Sequence, residues 1–74
     1  VDASHAIFEV EMPKEWVGKT VGELDIRKRY KINILAVKNE REFSIAISPD
    51  THFEENSKLL VLGEYRALQK CFRI

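Results

Sequence analysis

Few of the side chains able to do chemistry stand close together in this sequence. His52 lies between Asp50 and Glu54, a spacing that could bring an imidazole and two carboxylates to a metal. Metal-binding histidines also need a partner to orient the ring, and a solvated loop histidine is the simpler reading. His5 is isolated. Cys71 has no histidine or Asp/Asn array that would draw out a thiolate, so it reads as a small apolar side chain on a final helix. The run Arg27-Lys28-Arg29 supplies positive charge and, taken alone, is a solvated basic face. Asp25 can pair with Arg29 at i,i+4, worth about 0.2–0.5 kcal/mol. A nucleophile beside a base, a metal cluster and a Gly-rich phosphate cradle are all missing from the sequence, which points to binding rather than catalysis.

The elements that must position these residues follow from the hydrophobic pattern. Ala6, Phe8, Val10 and Met12 alternate with Ile7, Glu9 and Glu11, the period-2 mark of a strand over 6–12, and Pro13 closes it. Thr20 and Glu23 form a capping box that opens a short helix running to about Tyr30. Ile32 to Val37 is almost wholly apolar and predicts a central strand covered on both faces, and Lys38 to Glu42 makes a polar hairpin connection. Phe43, Ile45 and Ile47 alternate into the returning strand, which Ser48-Pro49-Asp50 stops because proline has no N–H for the ladder. A polar loop follows through Ser57. Leu59 to Leu62 form the last strand, Gly63 breaks the sheet, and Tyr65, Leu68, Cys71 or Phe72 recur at helical spacing. The order is β-α-β-β-β-α, an α+β fold with one layer of helices on a mainly antiparallel sheet. Trp16 packs at the connection from strand to helix or stands exposed at an interface.

Size and charge narrow the function classes. A chain of 74 residues is a single domain over 1–74, and a domain this small hides only about 60% of its unfolded surface. Small scaffolds offset that deficit with disulfides, metals or self-association, and one cysteine cannot bridge internally. Self-association is the remaining route. Twelve basic and twelve acidic residues balance, so the one-sided field that drives direct nucleic-acid binding is absent. Neither a spanning apolar run nor the basic-then-apolar order of a signal peptide is present. The expectation is a soluble, cytoplasmic module without membrane insertion. Opening on Val1 in a strand-like pattern, it reads as a piece of a longer chain.

Gly18-Lys19-Thr20 enters the helix, Glu23-Leu24-Asp25-Ile26-Arg27 lies inside it, Tyr30 precedes Ile32-Asn33-Ile34, and Ser48-Pro49-Asp50 leads to a strand ending at Gly63. This phrasing resembles the TrkA-C family, the C-terminal lobe of RCK regulators, over nearly the whole chain. Lys31 and Asn56-Ser57 depart from relatives that carry glycine and Gly-Asp there, which concerns turn geometry. The resemblance implies a partner RCK N-terminal lobe in a cytosolic ring, peripheral to the membrane through a potassium channel or transporter subunit. It is closest to the C-lobes of Gram-positive potassium-uptake regulators, which bind cyclic di-AMP between two copies. In their pattern the ligand residues are Val21, Asp25, Arg27, Ile32, Asn33 and Pro49, with no catalytic or metal-binding residues and no cofactor besides the messenger.

Those residue types suit that ligand. A homodimer interface presents one patch twice, matching a two-fold symmetric dianion. Arg27 offers a planar fork to a phosphate where Lys28 offers a point charge. Asn33 both donates and accepts, Asp25 accepts from ribose or adenine groups, and Val21, Ile32 and Pro49 make an apolar wall. Two geometric obstacles remain. Asp25 and Arg27 point roughly 200° apart on a regular helix, and Ile32 and Asn33 face opposite sides of an ideal strand, so they meet only at its frayed start or across two protomers. Alternative uses are a ligand-free dimerisation lobe, with Val21 and Ile32 in its core or interface, or the same messenger-binding lobe on a cation/proton antiporter or a transcriptional repressor.

Overall fold

Four strands pair in the order β1-β4-β2-β3, every neighbour antiparallel. The computed structural model describes residues 4–73. Along the chain, β1 (His5–Glu11) is followed by a 3-10 turn at Lys14–Trp16, α1 (Val21–Leu24), α2 (Ile26–Tyr30), β2 (Ile32–Asn39), β3 (Glu42–Ser44), β4 (Lys58–Glu64) and α3 (Tyr65–Phe72). The order β-α-β-β-β-α stands, with the first helical region divided in two.

Register fixes which side chains share a face. Ala6, Gly63 and Ile32 lie opposite one another, as do Phe8, Val61 and Ile34, and then Val10, Leu59 and Val37. This face meets the helices in one cluster with Trp16, Leu24, Ile26, Phe53 and Leu68. Trp16 is only 4% exposed. Its ring stacks on Phe53 at 5.7 Å and takes Phe72 edge-on at 5.5 Å, so it is a core residue and the exposed-interface reading is removed. The opposite face keeps Ile7 and Phe43 half exposed.

Four local expectations are corrected. The helix expected from Thr20 to Tyr30 is interrupted at Asp25, whose φ of 49° and ψ of 50° are left-handed, ending α1 and starting α2 in one residue. At the N-terminus of α1, Thr20 Oγ1 accepts from Glu23 N–H at 3.0 Å, as a capping box requires. Glu23 reaches back to the Thr20 hydroxyl, which donates to its carboxylate at 3.3 Å, rather than to the backbone N–H. The returning strand ends at Ser44, before Ile45 and Ile47. Finally, Gly63 does not break the sheet but lies within β4, because a Cβ there would come 2.9 Å from Ile32 Cγ2. The strand needs glycine at that crossing so that β2 can approach closely.

The departures Lys31 and Asn56 both have positive φ, 58° and 69°. Glycine adopts this region without Cβ strain, so both positions sit where a glycine would be relaxed.

Candidate ligand-binding cleft

Because β3 pairs only with Val37, Lys38 and Asn39, the edge of β2 from Ile32 to Ala36 that faces away from β4 carries no strand. The chain beyond β3 runs past this bare edge and is tied instead to α1. Gly22 N–H donates to the Pro49 carbonyl at 2.9 Å and Val21 N–H to the Thr51 carbonyl at 3.0 Å. These bonds satisfy two donors that the first turn of any helix leaves open. They also set Val21 and Pro49 at a fixed separation.

Between the bare edge, the two short helices and this loop lies a cleft of about 340 Å³. Val21, Arg27, Ile32, Asn33 and Pro49 line it. Ile32 and Asn33 share the cleft even though their side chains leave opposite faces of the strand. An open strand edge exposes both faces and the backbone to the same space, so no fraying is required. Asn33 is half-buried, whereas Ile32 is fully buried and forms the floor from the core side.

Asp25 is not among the lining residues; it is exposed at the break between the helices. That break removes the helical geometry that set Asp25 and Arg27 about 200° apart, since Arg27 belongs to a helix with a new axis. Asp25 accepts the first backbone bond of α2, from Arg29 N–H at 2.9 Å, and its carboxylate pairs with no cation among the described residues. Arg29 instead sits over the Tyr30 ring at 5.4 Å. The Arg27 guanidinium is exposed and likewise has no hydrogen-bond or ion-pair partner among the described residues.

Ile26, Ile34, Ile47 and Ser48 complete the wall and were not singled out from sequence. Ile34 was within reach, because alternation from Ile32 returns it to the same face. Alternation puts Ile47 in the returning strand, and only the end of β3 at Ser44 frees it to line the cleft.

His52 is exposed, paired through its backbone with Thr20. Cys71 is half-buried on α3 and packs against the core. Burial, reinforced by the negative charge of Glu15, pushes its thiol up from 9.0 to about 11. It is therefore protonated and unreactive at neutral pH. No described helix is long and apolar enough to cross a membrane.

Residues 5–74 match the TrkA-C domain. The chain belongs to the TrkA-C family. A curated relative, the K(+)/H(+) antiporter subunit KhtT of Bacillus subtilis (strain 168), is 36% identical over 64 residues. That match covers 85% of this chain and 39% of KhtT. Among solved structures, the RCK C domain of the potassium transport protein KtrA in complex with cyclic diadenosine monophosphate superposes with a TM-score of 0.84 at 33% identity. It covers 90% of this chain and 79% of that one. The RCK_C domain dimer of S. agalactiae BusR, in complex with the same dinucleotide, gives a TM-score of 0.77 at 22% identity over 89% of this chain and 90% of that one, a likeness of fold. The four-stranded antiparallel sheet with its helices is thus the RCK C fold, and this TrkA-C domain is related to regulators of potassium transport.

Proposed function

We propose that this TrkA-C domain is the messenger-sensing lobe of a potassium transport system, binding one cyclic di-AMP across a homodimer and thereby modulating potassium movement. The observation that carries it is the cleft at the bare edge of β2, where five of the six residues implied by the family resemblance line one space. At about 340 Å³ the cleft lies at the small end of ligand sites, which run roughly 300–1,000 Å³. It suits one half of a two-fold ligand, with a second copy supplying the other half.

In this reading Arg27, unpartnered among the described residues, turns its fork to a phosphate. Asn33 reads a base or ribose edge, Val21 and Pro49 with the isoleucines cover adenine, and Asp25 reaches in from the rim. The messenger acts by binding one geometry of two paired lobes better than another. The lobe would pass that preference through an RCK N-terminal lobe to a membrane transporter, placing it in the cytoplasm.

Calorimetry should give one cyclic di-AMP per two chains. Arg27→Ala removes a charge-assisted hydrogen bond worth about 1.5–3 kcal/mol, so affinity should fall roughly tenfold or more. Wild-type affinity in that variant, or a strictly monomeric protein at high concentration with the messenger present, would remove the reading and leave a domain without this ligand.

The likeness to KhtT favours a second host for the same lobe, a potassium/proton antiporter rather than an uptake system. Messenger-stimulated potassium export from cells carrying the intact gene would select the antiporter. Messenger-inhibited uptake would select the other.

A further inference from the structure

A second cavity, about 980 Å³, opens between the end of α2 and the length of α3 and shares no lining residue with the cleft at the bare edge of β2. Arg29, Lys31, Arg66, Lys70 and Arg73 stand around it. Five of the twelve basic residues of a neutral chain are thus gathered at one opening. Two carboxylates, Glu15 and Glu64, share the lining, leaving three positive charges in excess.

Cations near helix C-termini have an ordinary explanation, since a helix end carries about half a negative charge. Two such ends offset about one charge, α2 is only five residues long, and Arg66 lies in the first turn of α3, away from its C-terminus. Roughly two charges remain. None of the five forms an ion pair with a carboxylate among the described residues, and all are exposed. The floor is aromatic, with Trp16 and the half-buried Phe72 beneath the charged rim.

We infer that this cleft docks an acidic peptide segment of a partner protein. A free phosphate would fill a small part of about 980 Å³, and a bilayer surface does not enter a concave cleft. Small-molecule sites are mostly apolar with few polar anchors, the reverse of this charged rim. Carboxylates spaced along an extended chain can meet several of the cations at once, while their intervening apolar atoms rest on Phe72.

The test uses a fluorescein-labelled hexaglutamate peptide and the 74-residue chain. Anisotropy should rise saturably at low salt and fall as salt is added. Unlabelled peptide should change the emission of Trp16, the single tryptophan. Reversing two exposed charges in Arg66→Glu/Lys70→Glu should weaken binding at least ~10-fold, while Lys38→Glu/Lys58→Glu on the other side of the sheet leaves it unchanged. If the first double variant unfolds, Arg66→Gln should weaken binding and Arg66→Lys restore it in part. Absence of saturable binding overturns the inference, as does equal loss in both double variants. So does capture of inorganic phosphate or of phosphatidylglycerol vesicles without capture of the peptide. No residue is shared with the messenger cleft, so either proposal can fail alone.

Discussion

Gly22 N–H donates to the carbonyl of Pro49 at 2.9 Å, and a Cβ on Gly22 would stand 3.0 Å from that oxygen and 3.2 Å from the Pro49 Cβ. This contact joins α1 to the loop across the proposed messenger cleft. Two opposing terms act on Gly22→Ala: alanine gains up to about 1 kcal/mol of helix propensity, whereas crowding a packed contact costs about 1–3 kcal/mol. Crowding should win, lowering stability by about 1 kcal/mol in urea titration and weakening cyclic di-AMP by displacing Pro49. A more stable variant with unchanged affinity would show that the loop yields freely.

Asp25 can be tested for two roles separately. Its left-handed backbone strains any residue with a Cβ, at roughly 1–2 kcal/mol. Asp25→Gly should therefore melt at or above the wild type, while Asp25→Ala should melt lower than Asp25→Gly by about 1 kcal/mol. If the carboxylate meets the messenger, both variants lose affinity alike in calorimetry. Full affinity in Asp25→Gly would reduce the residue to a helix break.

Gly63→Ala attacks the crossing of β4 and β2. The added Cβ meets Ile32 Cγ2 at 2.9 Å and the Lys31 carbonyl oxygen at 3.4 Å, so one strand has to move. The variant should lose about 1–3 kcal/mol in chemical denaturation. Because Ile32 floors the proposed messenger cleft, the variant should also bind the dinucleotide less well. Unchanged stability would mean that the sheet opens more easily at this point than the register suggests.

Cys71 gives a pH dependence whose sign is fixed. Burial and Glu15 raise its thiol from 9.0 to about 11 in the folded chain, so the folded state holds a proton that the unfolded state releases. This contribution is complete below pH 9 and is lost as pH rises through about 11. Urea midpoints of the wild type should drop over that window more than those of Cys71→Ala. Iodoacetamide should label the native protein far more slowly than the unfolded one at pH 8. Equal labelling rates would place the thiol in open solvent.

Sequence by itself determined what neighbouring residues decide among themselves. Alternation marks β1 and β2, Thr20 and Glu23 start a helix, Pro13 and Pro49 exclude continued strands, and the spacing of Leu68 and Phe72 gives α3. These signals operate over one turn or one pleat, and they suffice for the element order and the family phrasing. Tertiary structure decided the left-handed break at Asp25, the early end of β3 at Ser44 and the passage of β4 through Gly63. Aspartate within a helical pattern and glycine after a strand carry no local mark of these outcomes. The passage of β4 through Gly63 rests on a contact distant in sequence, Ile32 against Gly63. The bare edge of β2 has the same origin, because an unpaired strand edge is a property of the neighbour that stops short, and that neighbour lies elsewhere in the chain.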